Sequence, residues 1–278
     1  MLLKCISLLY TVKYFIAIIF MLFAISSFAQ NEQWDTYMAK FGDKPGSVLV
    51  DLNLYNTAPD KKYPNLVITG PRAHKCNAKG LPETSEIDAL EDILTSTDNF
   101  LTGVTAKVLC GTFTYKCERL NYYYVKDTVG IRNALARMYG RSYKDYDYVV
   151  NIKSDPDWVT YRTFLYPDEA TQNWMENDKI VTKLLQTGDS LTMKRDVIFS
   201  FYFRTDTDRV AFANYAAGRG YKTQQPESPK GESKSYPLLV STYAYVKMDA
   251  ICALSTDLKK EARLHHGIYN YWTAPFKK

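Results

Sequence analysis

Two α+β units in tandem, joined by a helical connector, form the architecture that the sequence predicts. Three observations carry this. Hydrophobic residues make up 46% of the 278 and charged residues 23%, the balance of a folded chain rather than a disordered one. Apolar residues recur first at the period of strands and then at helical spacing, in the orders β-β-α-β-β-α-β and β-α-β-β-α. Charge changes between these two stretches: residues 30–190 hold 19 Lys and Arg against 22 Asp and Glu, whereas residues 191–278 hold 14 against 8.

A targeting segment precedes both. Lys4 and Lys13 make a basic start, Tyr14 to Ala24 is apolar throughout, and Ser27-Phe28-Ala29 places small residues where a signal peptidase reads them. This is the layout of a secretory signal cleaved before Gln30, which predicts an exported protein, periplasmic or secreted. The alternative is an uncleaved anchor, since the apolar stretch from Tyr10 to Phe28 approaches bilayer length. The polar Gln30-Asn31-Glu32-Gln33 that follows favours cleavage, after which no membrane span is expected. Cys5 precedes the apolar run instead of closing it, which argues against a lipoprotein. Roughly 250 residues then remain, enough for one large or two ordinary domains.

The first unit spans 30–154. Trp34 and Tyr37 open a short segment ending at Gly42, Ser47–Leu54 alternates as a strand, and Asn65–Thr69 is a second strand stopped by Gly70-Pro71. Thr84 or Ser85 caps a helix with Ile87, Leu90, Ile93 and Leu94 on one face. Strands are expected at Leu101–Leu109 and Cys117–Val125, a short helix at Val129–Tyr139 and a strand at Tyr146–Ile152. The connector, 155–190, begins at Asp155-Pro156-Asp157-Trp158. There Trp158, Tyr161, Phe164 and Leu165 repeat at helical spacing, and a longer helix from Glu169 to Thr187 carries Trp174, Ile180, Leu184 and Leu185 on its apolar face. In the last unit, 191–278, Asp196–Arg204 is a strand and Asp206 or Thr207 caps a helix. A short strand at Tyr221–Thr223, a loop over Gln224–Ser235, a strand at Leu238–Val246 and a helix at Met248–His265 follow. The order β-α-β-β-α is that of a split βαβ, ferredoxin-like sandwich.

Tyrosine is abundant, 23 against 13 Phe, and its clusters suit strands whose rings pack while their hydroxyls stay wet. Cys110 and Cys117 flank Gly111–Lys116, which reads as a hairpin connection, so they are a candidate disulfide; Cys76 and Cys252 read as free thiols. No catalytic, cofactor or metal residue is assigned. His265 and His266 sit where side chains serve a helix C-terminus. Asp155 and Asp157, as well as Asp168-Glu169, read first as helix N-caps. Gly218-Arg219-Gly220 follows a helix, the wrong context for a phosphate loop. The basic residues are scattered more thinly than a nucleic-acid footprint requires, so no nucleic-acid partner is expected.

Two resemblances follow from particular residues. Trp34 with Tyr37, the Val48–Leu54 strand, Gly80-Leu81-Pro82 before Leu90-Glu91-Asp92, the Tyr122-Tyr123-Tyr124 strand, Asp155-Pro156-Asp157-Trp158 and Leu165-Tyr166-Pro167 make the first unit resemble the domain of unknown function 695 family. The Phe201–Arg204 strand, Gly220-Tyr221 and Gly267-Ile268-Tyr269-Asn270-Tyr271-Trp272 make the second resemble the regulator of ribonuclease E activity B family. The first family implies no chemistry. The second implies a non-catalytic, protein-binding habit, although the basic charge here, Asn270 and Tyr271 depart from its pattern. The leading expectation is therefore a binding or regulatory module for an unidentified protein partner, with Tyr269, Tyr271 and Trp272 as candidate interaction residues. The alternatives are a hydrolase with carboxylates at the domain junction, where Asp155, Asp157 and Trp158 are the candidates, and a structural envelope protein.

Overall fold

The computed structural model describes residues 32–226 and 235–278. The expected signal, with Cys5, and residues 227–234 of the expected loop lie outside the described residues. The chain is α+β and divides into two compact units between Tyr166 and Pro167. The expected connector is thereby shared, with Asp155–Tyr166 in the first unit and the long helix in the second.

The first unit is built on a six-stranded, wholly antiparallel sheet. Its strands are β1 (Trp34–Phe41), β2 (Lys44–Asp51), β3 (Asn65–Pro71), β4 (Lys107–Tyr115), β5 (Glu118–Val125) and β6 (Tyr148–Ser154), in the order β1-β2-β4-β5-β3-β6. The segment after Trp34 is thus a full strand, turned back through Gly42-Asp43 with Gly42 at φ +61°, where a side chain is unfavourable. Helix α1 (Thr84–Thr102) runs further than its first three turns suggest. Leu101 continues the buried line of Leu90, Leu94 and Thr97, and β4 starts only at Lys107. Helix α2 (Ile131–Ser142) packs beside it. Together they cover Val67, Tyr123 and Val125 on one face of the sheet.

The opposite face is covered by the chain after β6, which makes a π-helical turn at Tyr161–Leu165. Trp158 stacks on Tyr124 at 4.0 Å, Tyr161 donates to the Asp51 carbonyl at 2.7 Å, and Tyr37 donates to the Leu165 carbonyl at 3.0 Å. Both faces being covered explains why Tyr122, Tyr123 and Tyr124 are all buried, although successive residues point to opposite sides. The expectation of half-buried tyrosines fails here for that reason.

The cysteine pairing also differs from expectation. Cys117 is bonded to Cys76, and Cys110 is free and fully buried. Strand pairing continues to Tyr115↔Glu118, so the hairpin turn is Lys116-Cys117, both at positive φ, and Gly111–Tyr115 belong to β4. Cys110 sits at a register shift deep in the ladder, roughly five residue pairs or 17 Å from the turn. Its thiol donates to the Tyr122 carbonyl instead. Cys76 reaches Cys117 because the loop after β3 lies along the turn, with the Cys117 amide on the Gly80 carbonyl and the Ala73 amide on the Cys117 carbonyl.

The second unit contains α3 (Glu169–Gln186), β7 (Arg195–Phe203), α4 (Asp206–Gly218), β8 (Lys222–Gln224), β9 (Tyr236–Ala244), α5 (Met248–Leu264) and β10 (Gly267–Thr273). Its antiparallel sheet has the order β10-β7-β9-β8. Val197, Phe199, Phe201 and Phe203 alternate onto the core face with Leu238 and Val240, against Phe212 of α4 and Ile251 and Leu258 of α5. Asp168 caps α3 through the Thr171 amide, and Thr205 caps α4 through the Asp208 amide. The buried line of α3 is Asn173, Asn177 and Val181; Trp174 and Leu185, expected inward, are 43% and 52% exposed.

Candidate functional site

The last strand decides where the candidate interaction residues point. Gly267–Thr273 carries Ile, Tyr, Tyr and Trp, and its partner strand β7 offers an alternating row of Phe. Pairing runs Tyr269↔Phe201, then Tyr271↔Ser200 and Trp272↔Phe199, so Asn270 is an extra residue. This bulge inverts the alternation beyond it. Tyr269 and Trp272 face the core, and Tyr271 faces outward. Trp272 is 2% exposed, and its indole N–H donates to Asn177 Oδ1 at 2.8 Å. Tyr269 is half-buried beneath the Lys259 ammonium, 4.5 Å from its ring centre.

Asn177 belongs to a buried polar chain linking α3 with α5. Asn177 Nδ2 donates to Ser255 Oγ at 2.9 Å, Ser255 donates to Asn173 Oδ1 at 3.0 Å, and Asn173 Nδ2 donates to Thr256 Oγ1 at 2.9 Å. Each member is satisfied, so the network ties α3, α5 and β10 into one register. Of the three aromatic residues only Tyr271, 51% exposed, presents substantial surface. It borders a groove of about 550 Å³ between α3 and β10, with Ile180 and Leu184 as apolar wall and Lys179 and Lys183 at the rim. The structure therefore separates the three candidates: Trp272 is core, Tyr269 is partly core, and Tyr271 is surface.

The junction candidates separate likewise. Asp155 is buried and accepts four hydrogen bonds or caps in one cluster: the Val159 amide at 2.9 Å, the Thr160 amide at 3.0 Å and the Tyr124 hydroxyl at 2.7 Å, while its carbonyl takes the Trp158 amide. Burial raises its pKa, but the Thr160 amide and the Tyr124 hydroxyl outweigh that and hold it below the usual value. A carboxylate so engaged starts the turn that carries Trp158 and Tyr161. Trp158 is core, with its indole N–H on the Tyr63 carbonyl at 3.0 Å. Asp157, two residues on, is exposed.

The histidines also have local partners. His74 Nε2 is 2.9 Å from the Asp145 carbonyl and its ring stacks on Tyr146. His265 pairs with Glu261 and His266 with Asp208, each at 3.3 Å. Among the described residues no group of three or more His, Cys, Asp or Glu is placed to hold a metal ion, and no helix is long and apolar enough to cross a membrane.

A second groove, of about 560 Å³, lies in the first unit. Its floor is Leu49, Leu109 and Thr112 of β2 and β4, on the side where α1 and α2 leave the β1–β2 end of the sheet uncovered. Trp34 and Glu32 form one wall, the indole N–H donating to Glu32 Oε2 at 2.9 Å. Asp98 of α1 and Lys107 form the other, ion-paired at 2.5 Å, with the Lys107 ammonium over the Tyr123 ring. Asp51 closes the end. In the sequence Trp34 stands out as the opening of the first segment and as a feature of the family resemblance, whereas Asp51, Asp98 and Lys107 do not stand out as site residues. These are far apart along the chain and carry no local spacing signal.

Residues 32–166 match a family of unknown function, DUF695, and residues 174–273 match the family described as Regulator of ribonuclease activity B. No curated protein matches the chain. The two matched stretches fall on the two structural units in turn. The chain is thus similar to DUF695 over its first unit and to Regulator of ribonuclease activity B over its second.

Proposed function

We propose that this protein is an exported, non-catalytic binding module that engages a protein partner through the second unit, at the groove beside β10. The observation that carries the reading is Tyr271, an exposed aromatic on a strand whose neighbours are locked into the core, beside an apolar wall with two lysines. Exposed tyrosines on rigid elements suit interface anchoring because little side-chain freedom is lost on contact. The similarity to a regulator family supports a binding role. The order β10-β7-β9-β8 with both crossover helices supports a ferredoxin-like assignment for this unit. Export is supported by the basic-apolar-small pattern of residues 1–29, and the Cys76–Cys117 disulfide fits an oxidising compartment.

A non-catalytic role is supported by the way Asp155 is saturated with hydrogen bonds and the histidines are engaged. The test is affinity capture from the native compartment with wild-type and Tyr271→Ala baits of equal thermal stability. A partner reproducibly retained by wild type and lost by Tyr271→Ala supports the reading. A partner held equally by both baits removes the groove from it, and a hydrolytic activity abolished by Asp155→Asn in a folded protein replaces it.

A further inference from the structure

We propose that the partner enters the groove between α3 and β10 as an extended, acidic segment that adds a strand to the sheet along the free edge of β10. The inference rests on the protein-binding reading above and gives that partner a backbone conformation and a charge.

β10 ends its sheet, in the order β10-β7-β9-β8, so backbone groups on its outer side face away from the other strands. Edge strands ordinarily carry devices against further pairing. The opposite edge does: β8 has three residues, begins at Lys222 and is soon followed by Pro226. In β10 the bulge at Asn270 interrupts the first half. Beyond it Tyr271-Trp272-Thr273-Ala274 holds no charge and no proline, and among the described residues its backbone has no partner outside β7. Protection then resumes, with the Pro275 carbonyl on Arg195 and the Lys277 carbonyl on the Ser190 amide.

This open stretch lies under a helix. α3 is tied to α5 by Asn177 and Ser255, and its Ile180 and Leu184 pack on the core that contains Trp272. The groove is lined by α3 and Thr187 on one side and Tyr271 to Ala274 on the other, with no residue of β7 or β9, so α3 stands beyond the sheet's edge. Its wall from Lys179 to Thr187 is about 12 Å long, the length of about four extended residues. An added strand turns alternate side chains towards Ile180 and Leu184, and the others towards the face on which Tyr271 is exposed. Charge sets its composition. Lys179 and Lys183 stand at the rim, no carboxylate lines the groove, and residues 191–278 hold 14 Lys and Arg against 8 Asp and Glu, which favours an acidic segment. A second copy of the chain fits less well, because pairing β10 with β10 sets the lysines of two α3 helices against each other.

The probe is fluorescein-labelled Glu-Val-Glu-Val-Glu-Val-Glu, titrated with the chain from Gln30 to Lys278 and read by anisotropy. Its controls are the peptide with Lys for every Glu and two N-methylated forms, one methylated at the valines and one at the glutamates. The acidic peptide is expected to bind at least about tenfold more tightly than the lysine peptide. Lys183→Glu is expected to weaken it severalfold without lowering thermal stability. One methylated form, the one whose blocked edge faces β10, is expected to lose binding. Saturation is expected to slow hydrogen exchange within Tyr271–Ala274 by at least about tenfold. No saturable binding of the acidic peptide, equal affinity for the two charges, binding unchanged by Lys183→Glu, full binding by both methylated forms, or unaltered exchange in β10 would overturn the proposal. So would a dimer whose β10 amides are already protected without peptide. A partner captured through Tyr271 that stays bound in excess acidic peptide would overturn strand addition alone and leave the protein-binding reading standing.

Discussion

Cys110 and Cys117 differ by seven positions and have opposite chemistry. Burial raises the Cys110 thiol well above its ordinary value, its own backbone and the distant Asp155 and Asp51 being smaller influences, so little thiolate forms. Cys252 is half-exposed. Iodoacetamide on the native protein is therefore expected to label Cys252 and spare Cys110, with Cys76 and Cys117 reacting only after reduction; peptide mass spectrometry reads each site. The disulfide links positions 41 apart, and a loop of that size is worth about 4 kcal/mol on the chain-entropy account. Cys76→Ser with Cys117→Ser should lower the denaturant midpoint of the first unit accordingly. The cysteines were legible in the sequence as types, but not as pairs. Pairing depended on which residues the turn exposed, and two non-glycine residues at positive φ leave no strong local signature.

At the scale of elements, the bulge in β10 determines what mutation of the aromatic segment means. Replacing Trp272 by Ala empties a core position and breaks its bond to Asn177, at an expected cost of about 3–5 kcal/mol. Tyr271→Ala should change stability by no more than about 0.5 kcal/mol. Chemical denaturation of the two single variants distinguishes them, and a combined variant would confound folding with recognition. Deleting Asn270 would restore strict alternation and drive Trp272 outward, so it should destabilise the second unit at least as much as Trp272→Ala. Gly267 adds a packing limit at the start of this strand: a Cβ there would lie 2.4 Å from the Phe203 ring, which predicts that Gly267→Ala shifts β10 or weakens its pairing. Most helices and strands were legible from period alone. β10 was not, because one bulged residue hides a strand from a two-residue period, and the aromatic run reads equally well as surface. The buried line of α3 is hidden from the sequence for a related reason. Its inward positions include Asn173 and Asn177, which a search for apolar spacing discards although they are satisfied inside.

The whole molecule carries its two stabilising ties in different units, which separates their signatures. The second unit holds a fully buried ion pair in which Asp189 accepts both Arg195 terminal nitrogens together with the Leu191 and Lys277 amides, while Arg195 also donates to the Pro275 carbonyl. Arg195 beside Asp189 holds its carboxyl well below the usual range, burial opposing. The folded pKa lies below the unfolded value of about 3.9. The contribution is therefore fully present above that value and is lost as the pH falls through the folded one. Asp189→Asn should cost about 3–5 kcal/mol at neutral pH by leaving Arg195 buried and unpaired, and should flatten the loss of stability below about pH 4. In calorimetry of the full chain, reductant should lower one transition and Asp189→Asn the other; a single transition moved equally by both would show that the units unfold together.

The sequence by itself determined the α+β class, the two-unit order and most element positions, because hydrophobic period and turn residues act over a few neighbouring positions. It also pointed to both family resemblances through short runs of residues. Tertiary structure alone decided the cysteine pairing, the burial of Trp272 and Asp155, and the groove that gathers Glu32, Asp51, Asp98 and Lys107. These depend on strand register and on which faces become covered, and such contacts join residues that share no local pattern.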